Sequence, residues 1–181
     1  VATALACFLG GALGAVAGGA GRTTDALLAR LNDLVYAFPA LVGALVLLSV
    51  LPGDPHGLAQ PVRVGLIVGA FSWPVLFRYV RAEVRRLSRS DLALCARAAG
   101  GSRWHIARRH LAPMALVPAL VPASFLAAGT ILVEAGLGFL GIGIKPPQPS
   151  WGNLLRDGML HVERAWWLSL APGLLLFLTV L

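Results

Sequence analysis

Few side chains in this sequence stand where they could do chemistry. Glu134 is an acid set inside an apolar run, ILVEAGLGFL. His105 and His110 lie five residues apart in RWHIARRH. Arg97, Arg103, Arg108 and Arg109 crowd around Gly100-Gly101 in CARAAGGSRWHIARRHLAP, which runs from Cys95 to Pro113. Trp151 follows a proline-rich stretch, KPPQPSWGN.

The chemistry these residues offer is mostly not bond-making. The histidine pair lacks the HExxH spacing that puts two imidazoles on one helix face, so a zinc site is not indicated. It reads instead as facing lipid headgroups or a partner protein. No GxxxxGK[ST] loop is present to cradle nucleotide phosphates, so this chain does not itself hydrolyse ATP. The GxSxG elbow is missing too, and no Ser/His/Asp set converges in a predictable way. Cys7 and Cys95 are far apart in different settings and do not form a disulfide framework. Glu134 is the candidate, because an acid in an apolar span is expensive and is retained for a reason. That reason is either a hydrogen-bonded structural role or a part in gating.

The elements that must hold these residues are apolar helices. Of the 181 residues, 57% are hydrophobic and 13% charged, with mean hydropathy +0.78, the composition of a membrane protein. A bilayer core of about 30 Å needs roughly twenty apolar residues in a helix. Residues 1–21, 34–53 and 111–133 are uncharged. Val64 to Phe77 is shorter, but Arg63 and Arg78 bracket it and can snorkel. Ala165 to Leu181 is a fifth run. The expectation is an all-α, multi-pass membrane bundle with about five spans. The opening run lacks an initiator Met and a basic leader, and the last stops at Leu181, so the chain reads as a piece of a longer protein rather than one that begins with a signal peptide.

Charge then orients the bundle. The net charge of +7 comes from fourteen arginines and Lys145, and nine of those fifteen basic residues lie between Arg78 and Arg109. Excess Lys/Arg marks the cytoplasmic side, so Arg85 and Arg103 are expected inside, with Asp54 and Trp151 outside. Gly10, Gly14 and Gly18 form a small-residue stripe on the first span, either a packing face or simply a common feature of membrane helices. Pro39, Pro74, Pro118 and Pro122 lie in or near spans and can kink them.

The arginine-rich loop has internal order that topology alone does not demand. Ser88 and Ser90 can cap a helix over Leu92–Ala99, Gly100 suits its C′ position, and Ser102 can cap a second helix from Arg103 to His110. That second helix is expected to end as Pro113 opens the next span. Gly101 is a linker between two short helices with more conformational choice, so Gly101→Ala is expected to be milder than Gly100→Asp. In the outer loop, Ser150 can cap a short helix and Trp151 suits the membrane interface; the loop is either a rigid plug or a docking surface.

This knob resembles the "EAA" loop of permease subunits in binding-protein-dependent ABC importers, a pattern of Glu-Ala-Ala, three residues, Gly, nine residues, Ile, one residue, Leu-Pro. The triplet falls on Leu94, Cys95 and Ala96, the glycine on Gly100, and the end on His110, Ala112 and Pro113. Ala96, Gly100 and Pro113 match in register; Leu94, Cys95, His110 and Ala112 depart from the pattern, and no carboxylate contact is implied at Leu94. ARAAGGS is closer to the dipeptide, oligopeptide and nickel branch, as are LNDLVYAFPALV, AGTILVEAGLGFLGIG with PPQPSWGNLLRDG, and APGLLLFLTVL.

The resemblance implies a type I importer permease fold, one permease domain over residues 1–181, a sixth span before Val1, and continuation of the last helix past Leu181. It implies a coupling loop at 84–112, with Leu94, Cys95, Ala96, Arg97, Gly100, Ser102, His110 and Pro113 meeting an ATPase. It implies an external loop at 138–164, with Glu134 and Trp151 near an outer gate. It further implies a bacterial inner-membrane, non-enzymatic subunit with no cofactor of its own, ATP being bound by partners. Those partners are a second permease, cytoplasmic ATPases and an external substrate-binding protein; membrane lipid surrounds the chain and nucleic acid is not a partner. The competing reading is a stand-alone channel, or a membrane-embedded enzyme whose basic loop binds lipid.

Overall fold

The computed structural model describes residues 1–51 and 60–181, apart from the side chain of Arg103. The expected external position of Asp54 therefore lies outside the described residues. Every regular element among those residues is helical: α1 (Ala2–Gly19), α2 (Arg22–Tyr36), α3 (Ala40–Val50), α4 (Gln60–Ser72), α5 (Pro74–Leu87), α6 (Asp91–Ala98), α7 (Arg103–Ile106), a π-helical stretch (Ala107–Leu111), α8 (Ala112–Leu116), α9 (Leu120–Phe139), α10 (Trp151–Leu160) and α11 (Trp167–Val180). α1 and α9, of 18 and 20 residues, are long and apolar enough to cross a membrane. Up to four spans result if α2 with α3, and α4 with α5, each count as one bent span; α11 is a shorter apolar helix.

The chain forms two compact units. One holds residues 4–38 and 72–126. Its centre is the contact of α1 with α5, and the glycine stripe makes that contact. A Cβ at Gly10 would lie 2.8 Å from the Trp73 carbonyl oxygen, and one at Gly14 2.8 Å from that of Phe77. At Gly18 it would lie 2.7 Å from Val84 Cβ. Only hydrogen fits, so the stripe is a packing face. Phe77, edge-on to Trp73, fills the space behind it with Val80 and Val84, in one cluster with Leu111 and Ala115.

The other unit holds residues 1–3, 39–71 and 127–181. Ala44 of α3, Val64, Ile67 and Val68 of α4 and Leu137 of α9 form its core. Gly43 lies against the Phe71 ring, and Thr3 and Thr130 hydroxyls share a hydrogen bond of 2.8 Å. The last turn of α9 closes on Gly141 at φ 78°, with Ile142 N–H donating to the Leu137 carbonyl.

One expectation about the helices needs correction. The uncharged run 111–133 is not one helix beginning at Leu111, and the helix opened at Arg103 does not stop at Pro113. It continues through the π-helical stretch and α8 to Leu116, and the break falls at Val117–Ala119, beside Pro118. Proline is tolerated at the start of a helical segment, where its missing N–H is unneeded. Pro113 sits there in α8, immediately after a turn in which Ala112 N–H reaches back to the Ala107 carbonyl.

Candidate functional site

The knob is α6, a glycine turn and the helix begun by α7. Ser90 occupies the cap position of α6, but its hydroxyl donates to the Leu87 carbonyl at 2.7 Å rather than accepting from the helix. Ser88 likewise donates to the Arg85 carbonyl and closes α5 instead of opening α6. The expected serine caps thus serve the end of α5, which ties the knob to its support. The other end of α6 is as the sequence predicts. Gly100 has φ 86°, Gly100 N–H donates to the Arg97 carbonyl at 2.9 Å, and Gly101 N–H donates to that of Ala96 at 3.0 Å. This pair of bonds is a complete glycine C-cap of the Schellman type. Ser102 then accepts from His105 N–H and caps the second helix.

The two glycines differ in what surrounds them. A Cβ at Gly100 meets nothing within 4 Å, so only backbone conformation is at stake there. At Gly101 it would stand 2.8 Å from the Ala96 carbonyl oxygen and 3.1 Å from Ile106 Cγ1. Gly101 is therefore the crowded position, because the cap folds the chain back onto α6.

The sequence-predicted knob residues divide by face. Leu94, 54% exposed, stands outward with Cys95, Ala98 and Ala99, an apolar surface of small and medium side chains. Ala93 is buried and Ala96 packs partly against the unit's core, so Ala96 supports the knob rather than facing outward. The Arg97 guanidinium donates to the Ser88 carbonyl, pinning α6 to the end of α5. His110 is exposed in the π-helical stretch, its ring edge-on to His105 at 6.2 Å, and Pro113 is exposed in α8. Behind the knob, Gly18, Arg97, Ile106 and Leu111 are among the residues lining a cavity of 270 Å³.

The support itself contains residues that sequence reading missed. Asp25, 5% exposed, receives Arg81 through two hydrogen bonds and Arg85 through another. Asn32, 1% exposed, is oriented by its neighbours so that its amide donates to the Pro74 carbonyl and accepts from Arg78 Nε. Arg78 also pairs with Asp33 at 2.8 Å and lies 4.0 Å over the Tyr36 ring. The Arg81 guanidinium, foremost, holds the Asp25 carboxyl below the usual carboxylate range, against the opposing pull of burial. α2 and α5 are thus joined by a polar seam along their length, and α5 leads directly into the knob. Arg78, Arg81 and Arg85, spaced three and four apart, were a legible cationic stripe; its partner stripe in α2 was the missing half.

In the other unit, Glu134 and Trp151 come together. They line one cavity of 380 Å³ with Ile144, Pro149, Ser150 and Leu154. One Glu134 oxygen, Oε1, is buried with no hydrogen-bond partner among the described residues. Ser150 caps α10 by accepting from Asn153 N–H, as its position predicts, and Asn153 in turn donates to the Ile144 carbonyl at 2.6 Å. The proline-rich segment is thereby fastened as one wall of the cavity. A buried carboxyl oxygen without a partner carries a desolvation cost that the packing around it has to offset.

Residues 10–181 match the family model described as "Binding-protein-dependent transport system inner membrane component". The chain is 33% identical over 177 residues to the dipeptide transport system permease protein DppC of Alkalihalophilus pseudofirmus, covering 97% of this chain and 56% of that protein. It is 38% identical over 172 residues to a putative peptide transport system permease protein of Brucella suis, covering 93% and 56%. It is 33% identical over 169 residues to the di/tripeptide transport system permease protein DppC of Pseudomonas aeruginosa, covering 93% and 54%. The chain spans about half the length of these relatives.

Proposed function

Because this chain belongs to the family of binding-protein-dependent transport inner membrane components, the permeases of ABC importers, and within it to the peptide group, we propose that it forms part of a translocation path for short peptides. In this reading residues 1–181 are one permease domain of a bacterial inner membrane. A second permease completes the path, cytoplasmic ATPases bind the ATP, and an external binding protein delivers cargo. Dipeptides and tripeptides are the cargo class, by likeness to the named relatives.

The observation that carries this reading is the knob: a short helix with an apolar outward face of Leu94, Cys95, Ala98 and Ala99, closed by a glycine cap and pinned to α5 by Arg97. A passive loop that served only to place positive charge would need none of those constraints. Closure of two ATPases would push such a knob, and α5 would carry the push toward the spans. Glu134 and Trp151 would act at the outer end, where the fastened proline segment offers a firm surface. The test is uptake of a labelled dipeptide by vesicles holding the full-length protein with its second permease and ATPases. Cargo accumulation that needs ATP and the binding protein supports the reading; solute conduction by the full-length protein alone overturns it.

A further inference from the structure

The polar seam does not use up the charge on α5. Arg78, Arg81, Ala82, Arg85, Arg86 and Arg89 line a single groove of 500 Å³. Its five arginines face three carboxylates, Asp25, Asp33 and Glu83, which leaves two positive charges in excess. The Arg89 side chain has no ion-pair partner among the described residues, and Arg86 is engaged only with Glu83 on its own helix. The groove has room for a phosphate-bearing headgroup, since a water takes about 30 Å³ of liquid.

Its position in the chain says which anion reaches it. Arg78 follows directly on the apolar run that ends at Phe77. Val75 and Tyr79 are exposed on α5 in the turns before Arg86 and Arg89, on the face that continues through Ala82 to Arg86. Along one helix face the order is therefore apolar residue, tyrosine, then arginines. This is the order of a bilayer surface met from inside, with hydrocarbon, interface and phosphate in sequence. We propose that this α5 groove is a binding site for the phosphate of an anionic phospholipid headgroup, with the acyl chains against Val75 and Tyr79. The arginine fork suits phosphate oxygens, and the excess charge selects an anionic lipid over a zwitterionic one.

This inference needs only that the chain is embedded in a membrane, so its test does not read transport. The full-length protein is purified with its second permease, with and without ATPases, in nanodiscs of pure phosphatidylcholine or with added phosphatidylglycerol. Native mass spectrometry then counts the lipids retained after detergent release. The variant carries Arg86→Gln and Arg89→Gln, which leave the bonds to Asp25, Asn32 and Asp33 intact. Wild type is expected to retain phosphatidylglycerol in preference to phosphatidylcholine, and losing two arginines to weaken that retention on the order of thirtyfold. Loss of the retained phosphatidylglycerol on addition of millimolar inorganic phosphate would place a free anion there and overturn the lipid assignment. Unchanged lipid retention in the variant would overturn the site. So would retention unchanged but ATPase co-purification lost, which would give the groove to a protein partner. Circular dichroism and unchanged assembly with the second permease confirm that the variant is folded.

Discussion

Arg81 Nε and Nη2 grip the two oxygens of Asp25 at 2.5 and 3.0 Å, joining residues 56 positions apart in the chain. Asp25 is nearly inaccessible, whereas Arg81 and Arg85 keep part of their surface in solvent. Removing the acid strands two arginines against a buried face; removing one arginine leaves the other in place. Asp25→Ala should thus cost on the order of 3 kcal/mol in detergent, and Arg85→Gln clearly less. Thermal unfolding followed by intrinsic fluorescence measures both. Equal, negligible losses would show that the seam does not hold α2 to α5.

The same pair sets an acid limit. The Asp25 carboxyl titrates below its unfolded value of about 3.9, so its contribution is fully present above that pH. It is lost only as the pH falls through the lower folded value. The stability gap between wild type and Asp25→Asn should be constant at neutral pH and shrink below about pH 4. A gap that instead shrinks on going from pH 5 to pH 8 would assign the effect to another group.

At the glycine cap, Gly101 is the crowded position and Gly100 the one with a left-handed backbone. Gly101→Ala must push its methyl against the Ala96 carbonyl, a backbone atom that cannot turn aside. Gly100→Ala meets open space and carries only the left-handed backbone penalty, about 1 kcal/mol. Uptake and ATPase co-purification should fall further for Gly101→Ala than for Gly100→Ala. The larger Gly100→Asp should insert normally and lose coupling. Full transport by both Gly101→Ala and Gly100→Asp would mean that the knob is not the lever.

For Glu134, Gln keeps the shape and one acceptor while Ala empties the wall of the cavity. Gln is expected to retain most uptake and Ala little, because the residue is walled by Trp151, Pro149 and Ile144. Complete loss in both variants would make the carboxylate obligatory.

Topology is checked with thiol reagents on sealed cells. The native Cys95 is exposed on the knob and should resist an impermeant reagent applied from outside. Gln148→Cys, in a Cys95→Ser background, should react. The reverse pattern would invert the membrane orientation.

Local signals made much of this legible. Composition fixed the helical membrane class, and the Gly100 and Ser150 caps could be read because their causes lie within a few residues. The seam could not be read that way. Asp25, in an amphipathic segment, has the look of a solvated surface acid until α5 is laid beside it, since both helices turn their polar faces toward each other. Helix ends near Pro113 were misplaced for a related reason: whether a proline breaks a helix depends on how the preceding turn is wound. The crowding at Gly101 could not be read from the sequence, because its neighbour in space, the Ala96 carbonyl, is placed there by the cap itself.

The widened turn at Ala107–Leu111 amounts to one residue more than a regular helix would need between Ile106 and Ala112. In a continuous α-helix each residue advances the side chains by about 100°. The wide turn absorbs that surplus residue, so Trp104 and His105 on the knob side keep the phase toward Leu111 and Ala115 on the core side that a regular helix one residue shorter would give them. Deleting either Arg108 or Arg109 should close the turn to a regular α-helix and leave the knob facing as before. Inserting a residue that the turn cannot absorb should instead swing the knob by about 100°. At that turn the chain already carries its slack, and a one-residue deletion should be better tolerated there than an insertion.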